Sequence, residues 1–157
     1  MKISNPIKLV LSLLLALSAG RIGSLATISN IDTWYAGLDK PPYLPPNEVF
    51  GPVWIALYIL IGISLYLVWT AKPAPNKKHA YWAFGAQLAL NALWSLVFFG
   101  LHAPWAGVAV IVLLLAAIVW NIYAARAHSN VAAYLLLPYL GWVLFATYLT
   151  VGVAVVN

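Results

Sequence analysis

The side chains best suited to binding chemistry are aromatic rings that recur at helical spacing. Residues three or four apart lie on one face of a helix, so each of three aromatic pairs shares a face. The pairs are Trp54 and Tyr58, Trp94 and Phe98, and Tyr139 and Trp142, with Phe145 and Ala146 continuing the last side. A cavity lined by such rings and a few amides suits a large flat apolar molecule.

Side chains for acid–base or nucleophilic chemistry do not accompany these rings. The chain has no cysteine and only three carboxylates, all in one segment between apolar runs. The three histidines lie near the ends of apolar runs and are interpreted as interfacial. A proton-coupled transporter or a cytochrome is therefore disfavoured, and we expect no metal and no required cofactor. The residues concerned are Asp32, Asp39, Glu48, His79, His102 and His128.

The elements that position the rings must be membrane-spanning helices. Of the 157 residues, 64% are hydrophobic and only 7% are charged, and the mean hydropathy is +0.93. Soluble domains carry about 25% charged residues, and disordered chains are poor in apolar ones. The basic residues are scattered beside apolar runs, which argues against nucleic-acid binding. We therefore predict an all-α integral membrane protein of one domain, with the lipid bilayer as a partner.

Five apolar runs are each long enough to cross a bilayer as a helix, which takes about 20 residues. We place the spans at 6–27, 52–71, 80–101, 105–126 and 131–156. The first span also resembles a signal peptide, with a basic start and small residues at 18–20. Apolar character continues past Arg21, which favours a spanning helix. Residues 28–51 form a long loop with four prolines between 41 and 46, predicted to be a lid on the outer mouth.

The basic residues favour one orientation of these spans. Six of the eight lie on one side if the spans alternate, and Lys40 lies on the other. The positive-inside rule then places the N-terminus in the cytoplasm of a bacterial cell. Arg21, inside the first span, either snorkels to the outer interface or pairs with an acidic ligand. The six residues are Lys2, Lys8, Lys72, Lys77, Lys78 and Arg126.

The third span carries a polar stripe opposite a stripe of small residues. Gln87 and Asn91 lie on the stripe that includes Trp94, and polar groups avoid lipid, so both amides should face the bundle. Two roles stay open for them, hydrogen bonding between helices and lining a ligand pocket. The opposite stripe suits close helix packing within the monomer or across a dimer. It consists of Gly85, Ala89, Ala92 and Leu96.

Four ordered motifs make the chain resemble the TspO/translocator-protein family, the tryptophan-rich sensory proteins, over nearly its whole length. The first is Trp34-Tyr35 followed by Leu38, Lys40-Pro41 and Pro45-Pro46. The second is Gly51-Pro52-Val53-Trp54 with Leu57-Tyr58. The third is Gln87-Leu88-Ala89-Leu90-Asn91, then Trp94 and Phe98-Phe99-Gly100. The fourth is Pro138-Tyr139-Leu140, Trp142 and Phe145-Ala146-Thr147.

This resemblance implies a bacterial five-helix bundle, usually a homodimer, that binds porphyrins, haem and benzodiazepine-type ligands beneath the first loop. It implies ligand contacts at Tyr35, Pro45, Trp54, Tyr58, Asn91, Trp94, Trp142, Phe145 and Ala146. Arg21 and Lys40 are candidate partners for ligand carboxylates. Some members promote light-dependent porphyrin breakdown, for which Trp54 and Trp142 are the tryptophans implied here.

The chain departs from the family pattern at Ser95-Leu96 and at Thr150, where an asparagine is usual after the Ala-Thr motif. Ser95 and Leu96 replace a proline pair of animal members, so the resemblance does not imply their helix kink. No basic residue follows Arg126, so the C-terminal sterol motif is absent and high-affinity cholesterol binding is not expected. Three functions stay open: a tetrapyrrole carrier, scavenger or sensor; a light- and oxygen-dependent porphyrin-degrading enzyme; and a regulatory membrane partner.

Overall fold

A computed structural model of the protein describes residues 5–73 and 76–157. Five of its segments are long and apolar enough to cross a membrane, which confirms the predicted all-α membrane bundle. The fifth segment consists of two consecutive helices that are interrupted at Leu136. The helices are α1 Pro6–Asn30, α2 Asn47–Thr70, α3 Lys77–Ser95, α4 Pro104–Arg126, α5 Asn130–Leu135 and α6 Leu137–Val156.

The helices pack as a closed ring around one core. Helix α1 contacts α2 on one side and α3 on the other, and α3 in turn packs along α4. Helix α4 contacts both α5 and α6, and α2 closes the ring mainly against α5. The order around the ring is therefore α1, α2, α5–α6, α4, α3. Each span turns one face inward and leaves the other for lipid.

The first loop is shorter than the sequence predicts because its flanking helices extend into it. Helix α2 begins at Asn47, five residues before the predicted start, directly after Pro46. Glu48 lies in its first turn, where a negative charge offsets the positive end of the helix dipole. Pro52 is accommodated inside the helix. The loop proper covers residues 31–46 and contains a short 3₁₀ turn, Tyr35–Gly37.

Helix α3 ends in a π-helical turn, Leu96–Gly100, where the sequence predicts a plain α-helix. The Leu101 amide donates to the Leu96 carbonyl at 2.9 Å, a spacing of five residues instead of four. A π turn inserts one extra residue, which shifts the following side chains around the helix. Phe98 and Phe99 are consequently both buried although they are adjacent in sequence.

The two ends of the bundle differ in charge. The basic end holds Lys8, Lys72, Lys77, Lys78 and Arg126, while Lys2 lies outside the described residues. The loop end holds all three carboxylates: Asp32 and Asp39 in the 31–46 loop and Glu48 in the first turn of α2. The Lys77 ammonium donates to the carbonyls of Trp69 and Ala71 at 3.1 and 2.6 Å and so caps the C-terminus of α2. Which end faces the cytoplasm stays a prediction.

Candidate functional site

An aromatic cluster fills the bundle toward its loop end, with Trp54 of α2 at its centre. The Trp54 ring stacks on Tyr58 at 5.8 Å between centroids and contacts Trp94 of α3 at 6.2 Å. It meets Tyr139 and Trp142 of α6 edge to face, at 6.4 and 6.5 Å. Three of the five spans therefore meet through one indole. We define the aromatic cluster as Tyr35, Trp54, Tyr58, Trp94, Phe98, Phe99, Tyr139 and Trp142.

Asn91 ties three helices together on the inner side of the cluster. The Tyr58 hydroxyl donates to Asn91 Oδ1, and Asn91 Nδ2 donates to the Tyr139 hydroxyl at 3.1 Å. Asn91 is 2% exposed, so these bonds form away from water. Hydrogen bonding between helices is thus established for Asn91, one of the two roles that the sequence leaves open. Gln87 differs, because both polar atoms of its buried amide lack a partner among the described residues.

The loop and the π turn complete the cluster. Tyr35, in the 3₁₀ turn, lies 5.4 Å from Phe99 and 6.3 Å from Phe98 between ring centroids. Phe98 in turn stacks on Trp94 at 6.0 Å. Burial raises the pKa of the Tyr35 phenol, so the ring stays neutral well above pH 7. Phe99 is the member that sequence periodicity misses, because an unbroken α-helix would turn it about 100° away from Phe98.

Two indole N–H groups inside the cluster are unused donors. Nε1 of Trp94 and Nε1 of Trp142 are both buried and have no hydrogen-bond partner in the described part of the chain. A buried donor without an acceptor costs free energy, about 1–3 kcal/mol for a neutral group. An acceptor atom on a ligand would recover that cost at either indole. The cluster therefore offers aromatic faces and two free N–H donors.

The loop is fastened over the cluster from the C-terminal side. The backbone amide of Asp39 donates to Asn157 Oδ1, and Asn157 Nδ2 donates back to the Asp39 carbonyl, both at 3.0 Å. The Tyr148 hydroxyl donates to the Pro42 carbonyl at 2.9 Å. On the opposite side of the loop, Trp34 stacks on His102 at 4.5 Å. The loop thus lies against the aromatic cluster, and its action as a lid stays a prediction.

The other sequence-predicted site residues lie at different distances from the cluster. Phe145 contacts Trp142 at 5.6 Å, Ala146 is buried on α6, and Pro45 is half-buried in the loop. The Lys40 ammonium lies 5.1 Å from the Tyr35 ring centroid and donates to the carbonyls of Ala36 and Leu38. Lys40 is therefore at the mouth of the site.

Arg21 lies apart from the cluster. It is exposed on the outer face of α1, whereas its neighbour Gly20 faces the Tyr58 ring. A carboxylate held by Arg21 would thus sit on the lipid side of α1. Of the two basic residues proposed as carboxylate partners, the structure brings only Lys40 to the site.

The cluster is closed in this conformation. A flat molecule inserted between two rings needs about 7 Å between their centroids, twice a contact distance of about 3.5 Å. Trp54 and Tyr58, the stacked pair at the centre, are 5.8 Å apart. Binding between these rings therefore requires them to separate, and the fastened loop is the nearest element that can move. Among the described residues no group of three histidines, cysteines or carboxylates could hold a metal ion.

Comparison with known proteins gives consistent matches over most of the chain. Residues 11–156 match the model of the TspO/MBR family. The chain is 46% identical over 153 residues to the tryptophan-rich protein TspO of Archaeoglobus fulgidus, covering 98% of this chain and 99% of that protein. It is 39% identical to the tryptophan-rich protein TspO of Chlorobaculum tepidum, covering 95% of both chains. The human translocator protein is 39% identical over 73% of this chain and 69% of its own length.

Proposed function

The chain belongs to the TspO/MBR family of membrane proteins, and from that premise we propose that it binds porphyrins and related flat hydrophobic molecules in its aromatic cluster. Binding would serve the transport, scavenging or sensing of these molecules. The pair of unpartnered indole N–H groups within the cluster is the observation that carries this proposal. Most buried side-chain donors in folded proteins have a partner, so two unpartnered indoles within one cluster support a ligand there.

The chemistry of a porphyrin fits the groups around the cluster. Its macrocycle offers a large face for ring stacking, and its propionates offer acceptors to the two indoles. Lys40, at the mouth, supplies the positive charge that a second carboxylate would pair with. No side chain here suits energy coupling, so the proposed transport is passive or depends on another protein.

A dark titration with protoporphyrin IX in nanodiscs, monitored by tryptophan emission, tests the proposal. We expect saturable quenching that fits one site. Its dissociation constant should rise at least fivefold in Trp142→Phe and in Asn91→Ala. Trp82→Phe is the matched control, since Trp82 is 72% exposed and outside the cluster. The proposal would fail if quenching never saturates, or if neither cluster variant changes the titration curve. Either result would mean that porphyrin only partitions into lipid.

A second candidate function is light- and oxygen-dependent breakdown of the bound porphyrin. The contact between Trp54 and Trp142 favours it, because two oxidisable indoles would then lie beside the excited ligand. Under timed illumination in air we expect the unmodified protein to yield a porphyrin breakdown product. Trp142→Phe should yield none when both proteins are equally saturated with porphyrin. The same product from free porphyrin under the same light would refute the enzyme and leave the binding proposal intact.

A further inference from the structure

A groove at the basic end lies between α3 and α4, far from the aromatic cluster. It measures about 390 Å³ and is shallow and widely open to its surroundings. Its walls come from the first turn of α3 and the last turns of α4. The lining residues are Asn76, His79, Trp120, Tyr123, Ala124 and Ala127.

Two exposed basic residues adjoin lining residues of this groove in the sequence. Lys78 precedes His79 on α3, Arg126 precedes Ala127 on α4, and both side chains are exposed. The carboxylates that could neutralise them all lie at the opposite end of the bundle. Lys77 is already committed to the carbonyls at the end of α2, which leaves Lys78 and Arg126 free. The groove is therefore complementary to an anion.

The start of α3 carries a positive potential, while the negative dipole end of α4 at the same groove is offset by Arg126 in its last turn. The first turn of α3 holds no acidic residue, and in the described part of the chain Asn76 makes no side-chain cap. The first backbone N–H groups of a helix lack intrahelical partners and carry the positive end of its dipole. Asn76 and His79 place that turn at the groove wall.

The aromatic wall indicates what kind of anion fits. Trp120 and Tyr123 are 43% and 70% exposed, at the end of a membrane-spanning helix. Such residues sit at the headgroup level of a bilayer, with the ring against the upper part of the acyl chains. A site with aromatic rings toward the membrane and cations beyond them matches an amphiphile that has a charged head.

We infer that this groove binds one phospholipid with an anionic headgroup, such as phosphatidylglycerol. The phosphate lies between Lys78, Arg126 and the first turn of α3, and the glycerol backbone lies on Trp120 and Tyr123. Basic recesses between spanning helices are a common form of such sites. The inference is independent of porphyrin binding, because it uses no residue of the aromatic cluster.

Native mass spectrometry of the full chain in detergent, with graded phosphatidylglycerol, tests the site. We expect one lipid to be retained preferentially over phosphatidylcholine. A basic side chain near a headgroup contributes about fivefold to lipid affinity, so Lys78→Gln with Arg126→Gln should weaken retention about twenty-five-fold. Tyr123→Ala should weaken it severalfold without changing the charge. Unchanged size-exclusion profiles verify that the variants are folded.

The matched control removes the same charge from the same end, on the α1 and α2 side of the bundle. Lys8 lies over the Trp69 ring of α2, and Lys72 follows α2, so Lys8→Gln with Lys72→Gln should change retention less than threefold. Equal losses in both double variants would overturn the inference, because binding would then follow the net charge of the end. Equally effective competition by glycerol phosphate, which has no acyl chains, would assign the groove to a free phosphate instead.

Discussion

Asn91 is the residue on which the polar interior of the aromatic cluster depends. Its amide accepts from Tyr58 and donates to Tyr139, so one side chain satisfies two phenols from two other helices. Asn91→Leu keeps a similar volume but leaves both hydroxyls without this partner. Because unpaired buried hydroxyls are costly, we expect the free energy of unfolding to fall by about 1–3 kcal/mol. Unfolding by titration with a denaturing detergent would measure it.

The comparison with Tyr58→Phe separates the hydrogen bond from the packing. That variant removes one hydroxyl and leaves Asn91 bonded to Tyr139, so it should cost less than Asn91→Leu. If Asn91→Leu is as stable as the unmodified protein, then Tyr58, Asn91 and Tyr139 do not form this hydrogen-bond network.

Gly20 is required where α1 crosses the cluster. A Cβ atom there would lie within 3 Å of three atoms of the Tyr58 ring, which Asn91 holds in place. Gly20→Ala should therefore push α1 outward and cost about 1–3 kcal/mol of stability, as overpacking does. Thermal unfolding of both proteins in the same nanodiscs would measure this.

Gly141→Ala is the internal reference for the Gly20 variant. Gly141 is exposed on α6, no described atom lies within 4 Å of its Cβ position, and alanine is the better helix former. This variant should be neutral or slightly stabilising. If both alanine variants behave alike, the close approach of α1 to Tyr58 is not a constraint on the fold.

At the scale of elements, the 31–46 loop controls access to the aromatic cluster. Tyr148 and Asn157 fasten it through one and two hydrogen bonds respectively. Because each net hydrogen bond is worth about 1 kcal/mol, Tyr148→Phe with Asn157→Ala should raise both the association and dissociation rates of protoporphyrin IX about tenfold or more. Stopped-flow fluorescence measures both rates. Tyr43→Phe, in the same loop but 88% exposed, should leave both rates unchanged.

Unchanged rates in the double variant would contradict the loop as the gate. Ligand would then reach the rings between helices from the bilayer. The dissociation constant is a weaker test, because a gate speeds both directions and leaves their ratio nearly constant.

The same elements show how far sequence reasoning extends. Apolar runs predict all five spans, because hydrophobic length determines what crosses a bilayer. The deep rings Trp54, Trp94 and Tyr139 follow from spacing alone. The π turn does not, since no local residue pattern distinguishes Leu96–Gly100 from an α-helix, and Phe99 is missed with it. The sequence also does not predict the helix interruption at Leu136, because Pro138 can begin a helix as readily as it can interrupt one.

At the scale of the whole molecule, the closed ring of helices leaves part of α3 facing outward. Gly85 and Ala89 are exposed there, whereas Ala92 is buried against Gly23 of α1. The small-residue stripe predicted from sequence is therefore divided between two neighbours. Its Ala92 portion packs within the monomer, and its Gly85 and Ala89 portion is left for lipid or a second copy.

The predicted homodimer can be tested on this outward face. If α3 packs closely against α3 of a second copy, Ala89→Trp separates the two backbones and the protein becomes monomeric in mild detergent, as light scattering would show. Leu113→Trp is the control, because Leu113 is 58% exposed on α4. Porphyrin binding should survive in the monomer, since every residue of the aromatic cluster belongs to one chain. If Ala89→Trp is still dimeric, the dimer interface lies on another face. If the variant is monomeric and no longer binds porphyrin, the second copy supports the site.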